Sequence, residues 1–142
     1  MAETNGLGDR RVHEPETLRL EGTTPALTVG DIGASLSWYR DVVGFQVQET
    51  WENEGAVTGA SLSAGATRVL LLQDNWAKGR DRVKGVGFRL HMATAGDIDE
   101  IAAGIVARGG TLASPPADMP WGARAFSLVD PDGFGFTIAS GG

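Results

Sequence analysis

Thr28-Val29-Gly30-Asp31-Ile32 and Thr94-Ala95-Gly96-Asp97-Ile98 stand 66 residues apart and share their Thr, Gly, Asp and Ile. Each stretch puts an aspartate immediately before an apolar residue that opens a helical pattern, which is where an N-cap belongs. Working outward from the first, Ile32, Leu36, Tyr39 and Val43 follow at helical spacing, and Gly44 suits the left-handed position that ends a helix. From the second, Ile98, Ile101, Ala102 and Ile105 mark an apolar stripe, with Glu100 placed to complete a capping box. Gly109-Gly110 end it, so Gly110 falls 66 residues beyond Gly44. A repeat of this length predicts two modules of one topology.

The flanking runs supply the strands. Thr24–Val29 precedes the first helix; Phe45–Trp51, Val57–Leu62 and Thr67–Gln73 follow it. In the second half Val86–Ala93 precedes the helix, and Thr111–Ala113, Arg124–Val129 and Phe134–Ala139 follow, the last two joined by the Asp130-Pro131-Asp132-Gly133 turn. The fold class is α+β, two βαβββ modules over 23–76 and 86–140, within one domain of 23–140. Residues 1–22 are polar, without sustained periodicity, and read as a flexible extension. The polar linker Asp74–Gly85 carries both lysines, Lys78 and Lys84.

Composition removes several function classes. The 142 residues carry a net charge of −6 and no dense basic stripe surrounds the two lysines, which argues against a nucleic-acid partner. The chain contains no cysteine, which removes disulfides, thiolate nucleophiles and Cys-based zinc sites. No apolar run reaches membrane-spanning length and no export signal opens the chain, so a cytoplasmic location is expected. With His91 as the one histidine inside the predicted domain, no Ser-His-Asp arrangement can be assembled. Gly55–Gly65 matches neither a phosphate loop nor a dinucleotide fingerprint.

Leu27-Thr-Val-Gly-Asp-Ile-Gly-Ala-Ser-Leu-Ser-Trp-Tyr-Arg-Asp-Val-Val-Gly-Phe45 and Pro120-Trp-Gly-Ala-Arg-Ala-Phe-Ser-Leu-Val-Asp-Pro-Asp-Gly-Phe134 resemble the vicinal oxygen chelate superfamily. That group includes glyoxalase I, extradiol dioxygenases and bleomycin resistance proteins, and the likeness runs from Thr23 to Ser140. It implies sheets curled into open half-barrels, assembly as a homodimer, and cavities built between modules. It also implies four equivalent positions, on the first and last strand of each module, where metal-dependent members place His or Glu. Counting from the family pattern with the 66-residue offset puts them at Thr24, Leu71, Leu90 and Thr137. Two leucines and two hydroxyls make no ligand set, so no metal and no cofactor are expected.

On that register, strand alternation brings Val69, Gln73, Phe88 and Met92 to the cavity with Leu71 and Leu90, while Thr24, Thr28 and Thr137 supply hydroxyls. His91 points to the outer face or a dimer contact, and His13 has no role. Trp38 rides beside the buried stripe of the first helix and belongs to the core. Trp51, Trp76 and Trp121 sit at rim positions, where an indole either stacks on a flat ligand or seals a hydrophobic corner or dimer seam. Arg124 is expected at the surface, and Glu49, Glu52 and Glu54 surround the first hairpin as a solvated loop or as an attractor of cations. The predicted ligand-binding set is Thr24, Trp51, Leu71, Gln73, Trp76, Leu90, Met92, Trp121 and Thr137. The implied function is metal-free binding of a small organic ligand, aromatic or antibiotic-like, without turnover. The alternatives are a lyase, isomerase or dioxygenase of the same superfamily, or a domain whose partner is another protein.

Overall fold

A computed structural model describes residues 17–141. Residues 1–16 of the predicted extension lie outside the described residues, and 17–22 are exposed and irregular.

The first module runs β1 (Ala26–Val29), α1 (Ile32–Ser37) with a π-helical continuation over Trp38–Val43, β2 (Gln46–Asn53), β3 (Ala56–Ala64) and β4 (Thr67–Gln73). The second repeats the order with β5 (Arg89–Thr94), α2 (Ile98–Ala107), β6 (Ser114–Asp118), β7 (Arg124–Val129) and β8 (Gly135–Ser140). Each module forms one four-stranded sheet, in the orders β1-β4-β3-β2 and β5-β8-β7-β6. The outer pairs β1/β4 and β5/β8 are parallel and the others antiparallel, so the helix is the crossover each parallel pair requires. Both sheets are open and neither closes into a barrel. Among the described residues no helix is long and apolar enough to cross a membrane.

Both aspartates cap as their positions predict. Asp31 Oδ1 accepts the Ala34 N–H at 3.1 Å and Asp97 Oδ1 accepts the Glu100 N–H at 3.0 Å. The first helix departs from a regular pattern after Ser37. Tyr39 O accepts from both the Gly44 and Phe45 N–H groups, at 2.9 and 2.8 Å, and Gly44 adopts φ 110° to close the widened turn. Tyr39 is buried in the core, edge-on to Trp38, Phe45 and Phe136. Trp38 packs on the same cluster and stacks on Phe136 of the second module, as its helical position predicts.

Two strands start later than their apolar runs. Val86 and Gly87 belong to the linker rather than to β5, and the third strand of module two lies at Ser114–Asp118, not Thr111–Ala113. Pro115 and Pro116 obscured it in the sequence. They are accommodated because β6 is the edge strand, where a missing N–H donor breaks no ladder bond on its free side.

One hydrophobic core serves both modules. Leu27, Val29, Leu62, Val69 and Leu71 from the first sheet meet Phe126, Leu128 and Phe136 from the second, with Ile32, Tyr39, Ile98 and Ile105 from the helical layer. The helices therefore cover one face of each sheet, and the opposite face of each is open.

Candidate functional site

Strand pairing decides which side chains share a face. In the first sheet Leu27 pairs with Leu71, and both are buried under the helix. The open face carries the alternate residues: Ala26 and Thr28 on β1, Leu70 and Leu72 on β4, Gly59 and Ser61 on β3, and Glu49 and Trp51 on β2. In the second sheet Leu90 pairs with Phe136 and Met92 with Ile138, and all four pack on the core. Its open face carries Arg89, His91, Ser127 and Thr137.

This corrects the register drawn from the repeat. Equivalent core residues Leu27 and Met92 stand 65 residues apart, and Leu71 and Ile138 stand 67 apart. Two residues, Gly30 and Asp31, join β1 to α1, whereas three, Ala95, Gly96 and Asp97, join β5 to α2. The 66-residue offset holds at the helix starts and is wrong by one in both flanking strands. Because side chains alternate with period two, one residue turns a whole strand over.

The predicted residues therefore divide. Leu71 is fully buried against the helical layer, and Leu90 and Met92 lie on the helix-packed face of β5, so these three side chains sit opposite the open faces. Val69 is likewise fully buried. Gln73 is tied to the main chain: its Oε1 accepts the Ile32 N–H at 2.8 Å and its Nε2 donates to Gly30 O at 2.8 Å and Asp74 O at 3.0 Å. It secures the start of α1. Thr24 is exposed and precedes β1. Thr137 lies on the open face, as the sequence predicts, and His91 lies beside it rather than on the outer side. The corrected equivalents of Thr24 and Thr137 are Arg89 and Leu70.

The three rim tryptophans have different surroundings. Trp51 lies on the open face over Gly59, where an added Cβ would stand 2.9 Å from its ring, and it remains 40% exposed. Trp76 is half-buried beneath the linker, its ring against Gly30, with the Arg80 guanidinium 4.6 Å and the Lys84 ammonium 5.3 Å from the ring centroid. Trp121 is 66% exposed in the β6–β7 loop. Arg124 is held at the surface by Asp99 at 2.8 Å and Asp118 at 3.0 Å. Glu49 shares the open face with Ser61, while Glu52 and Glu54 remain exposed at the hairpin.

The linker returns across the first open face and creates a groove of about 720 Å³. Ala26, Thr28 and Leu72 form its floor, Val83, Val86 and Phe88 its apolar walls, and Lys78, Arg82 and Lys84 its charged margin. Lys84 bonds Asp74 at 2.6 Å with both side chains largely covered, and this bond, with the Trp76 N–H, holds the Asp74 carboxyl below its ordinary range. Gly85 permits the linker's close approach: a Cβ there would collide with the Gly133 backbone, and its φ is +78°. A smaller pocket of about 300 Å³ adjoins at Gly85 and Phe88 and opens on Arg89, Ser127 and Thr137 of the second sheet.

The Asp130–Gly133 turn does more than shape a hairpin. Asp130 is 4% exposed and accepts from the Tyr39 hydroxyl at 2.7 Å and from the Asp132 and Phe134 N–H groups at 2.9 and 2.8 Å. Asp132 accepts the Gly30 N–H at 2.9 Å. The hairpin of module two thus clamps the first helix of module one. Burial raises the Asp130 carboxyl against the lowering effect of these donors, and burial followed by the Asp130 charge raises the Tyr39 phenol.

Among the described residues no three His, Cys, Asp or Glu converge. The positions to which the resemblance assigned metal ligands hold, on the corrected register, Thr24, Leu70, Arg89 and Thr137. Such a set does not fit a divalent cation, since it offers no imidazole or carboxylate and includes a guanidinium.

Comparison with known proteins agrees with this architecture. No curated protein sequence matches the chain. A member of the glyoxalase/bleomycin resistance protein/dioxygenase superfamily from Sphaerobacter thermophilus DSM 20745 is 27% identical, with a TM-score of 0.69 over 87% of this chain and 98% of that one. TioX from Micromonospora sp. ML1 is 21% identical, with a TM-score of 0.66 over 86% and 97%. Virulence protein STM3117 from Salmonella typhimurium is 22% identical, with a TM-score of 0.66 over 87% and 98%. These two share the fold. The family model of the glyoxalase/bleomycin resistance protein/dioxygenase superfamily matches residues 23–138, and the chain belongs to that superfamily.

Proposed function

We propose that this chain binds a small organic ligand on its open sheet faces, without a metal and without turnover, as a cytoplasmic homodimer. The supporting observation is the 720 Å³ groove beneath the linker, whose floor and walls are mostly apolar with a few directed polar groups at the margin. That lining suits an organic molecule of moderate size. Trp51, lying flat on the same sheet face over Gly59, offers an aromatic platform beside it. Leu72, Val86 and Val129 are exposed apolar side chains that a second copy or a ligand would cover.

Native mass spectrometry of the protein purified from cells supplied with Zn, Ni, Fe and Mn tests this reading. A dimer mass without metal, carrying an organic adduct that the Leu72→Asp variant loses, is the expected result. Leu72 is 41% exposed, so the added charge meets solvent rather than core. A stoichiometric metal adduct would overturn the reading. His91, exposed beside Thr137 on the second open face, supports one other reading, a metal-free isomerase or lyase using an imidazole as acid or base. Turnover abolished by His91→Gln would establish it.

A further inference from the structure

We propose that the open face of the second sheet is a carboxylate site anchored by Arg89, so that the ligand is an organic acid. This rests on the ligand-binding reading above and names the ligand's charge. Arg124 is paired with Asp99 and Asp118, and Arg108 donates to Val42 O at 2.9 Å. Arg89 has no such partner among the described residues, although it stands on a regular strand in the middle of the molecule.

The surroundings of Arg89 leave room for an anion. Its neighbour on β8 is Gly135, which places no side chain beside it on that face. The next residue on that face of β8 is Thr137, with Ser127 paired to it on β7, so two hydroxyls stand within a long side chain's reach. Arg89 is the one charged residue lining the 300 Å³ pocket, and no carboxylate lines it. The nearest acidic residues in sequence to its β8 wall, Asp130 and Asp132, are turned away onto Tyr39 and Gly30. A planar guanidinium fork matches a carboxylate through two parallel hydrogen bonds, which a point charge cannot do.

The linker leading to Arg89 reinforces this. Residues 78–89 contain Lys78, Arg80, Arg82, Lys84 and Arg89 against the single acid Asp81, in a chain whose net charge is −6. Five cations are too few and too spaced to track a nucleic-acid backbone. Around a groove partly shielded from water they are enough to concentrate a small anion. Since the two pockets meet at Gly85 and Phe88, an acid could place its carboxylate at Arg89 and its apolar body toward the larger groove.

Calorimetric titration of the full chain with 2-naphthoate and its neutral isostere 2-naphthamide tests the proposal. We expect naphthoate to bind at least about ten-fold more tightly, with a preference that shrinks as salt is raised. Arg89→Gln should abolish the preference and leave naphthamide binding unchanged. Arg89→Lys should retain only part of it, having the charge without the fork. Should Arg89→Gln fail to fold, a shift of the Arg89 Nε–H resonance in the wild-type chain on adding naphthoate, and none with naphthamide, gives the same answer. Equal affinities for the two probes, or a preference that survives Arg89→Gln, would overturn the carboxylate site and leave the ligand-binding reading standing. Failure of both probes to bind would remove both.

Discussion

Replacing Tyr39 by Phe removes one oxygen from the core and opens the clamp between the modules. The phenol donates to Asp130 Oδ2 at 2.7 Å, and Asp130 keeps only its two main-chain donors once the hydroxyl is gone. A hydrogen bond to a charged, buried acceptor contributes about 1.5–3 kcal/mol, and the ring packing against Trp38, Phe45 and Phe136 is retained. Tyr39→Phe should therefore lose about 2 kcal/mol at pH 8 in urea unfolding, with an unchanged m-value. The loss should depend on pH in a defined direction. Burial already raises the folded-state Asp130 carboxyl above its unfolded value, so this group favours the native state at low pH and that contribution fades as pH rises through the folded pKa. The hydroxyl stabilises the ionised carboxylate, so its removal raises the carboxyl further and the variant's deficit grows with pH. Lowering the pH from 8 toward the ordinary carboxylate range, about 4, should shrink the gap between wild type and variant. A double-mutant cycle with Asp130→Asn should recover a coupling of about 1–2 kcal/mol at pH 8. A deficit under about 0.5 kcal/mol, or one that widens on acidification, would refute the assignment of the clamp.

Two further substitutions examine separate features. Gly85→Ala introduces a Cβ where the Gly133 backbone lies and forces a φ of +78° on alanine, so it should destabilise by about 1–3 kcal/mol in urea unfolding and expose the Trp76 ring, read as a red shift of tryptophan emission. Arg124→Ala breaks the exposed pairs with Asp99 and Asp118 and should move the melting midpoint by no more than about two degrees, an effect that disappears in high salt.

The fold was legible because helix-start chemistry is local. An aspartate that caps the third following N–H does so whatever surrounds it, and Asp31 and Asp97 both act as their positions predict. The open faces were less legible because they depend on loop length. Ala95 adds one residue between β5 and α2, the shared Gly-Asp-Ile hides the addition, and the alternation then assigns Leu90 to the face where Arg89 and His91 stand. Leu71, Leu90 and Gln73 were misplaced for that reason. A comparison of burial patterns could have found it: Leu27 and Val29 are apolar on alternate positions, and the matching apolar pair in module two is Leu90 and Met92, not His91 and Ala93. Trp76 carried no such signal, since its position depends on a linker that turns back at Gly85.

The clamp also has a kinetic meaning. The Tyr39–Asp130 and Gly30–Asp132 bonds join groups 91 and 102 residues apart, whereas the β3–β4 and β7–β8 hairpins close locally. Closing so long a segment is entropically costly until both modules have formed, which places these bonds late on the folding route. Interactions formed after the rate-limiting step slow unfolding without hastening folding. The hairpin thus acts as a latch on the lifetime of the native state, and chains lacking it would assemble as fast and come apart sooner.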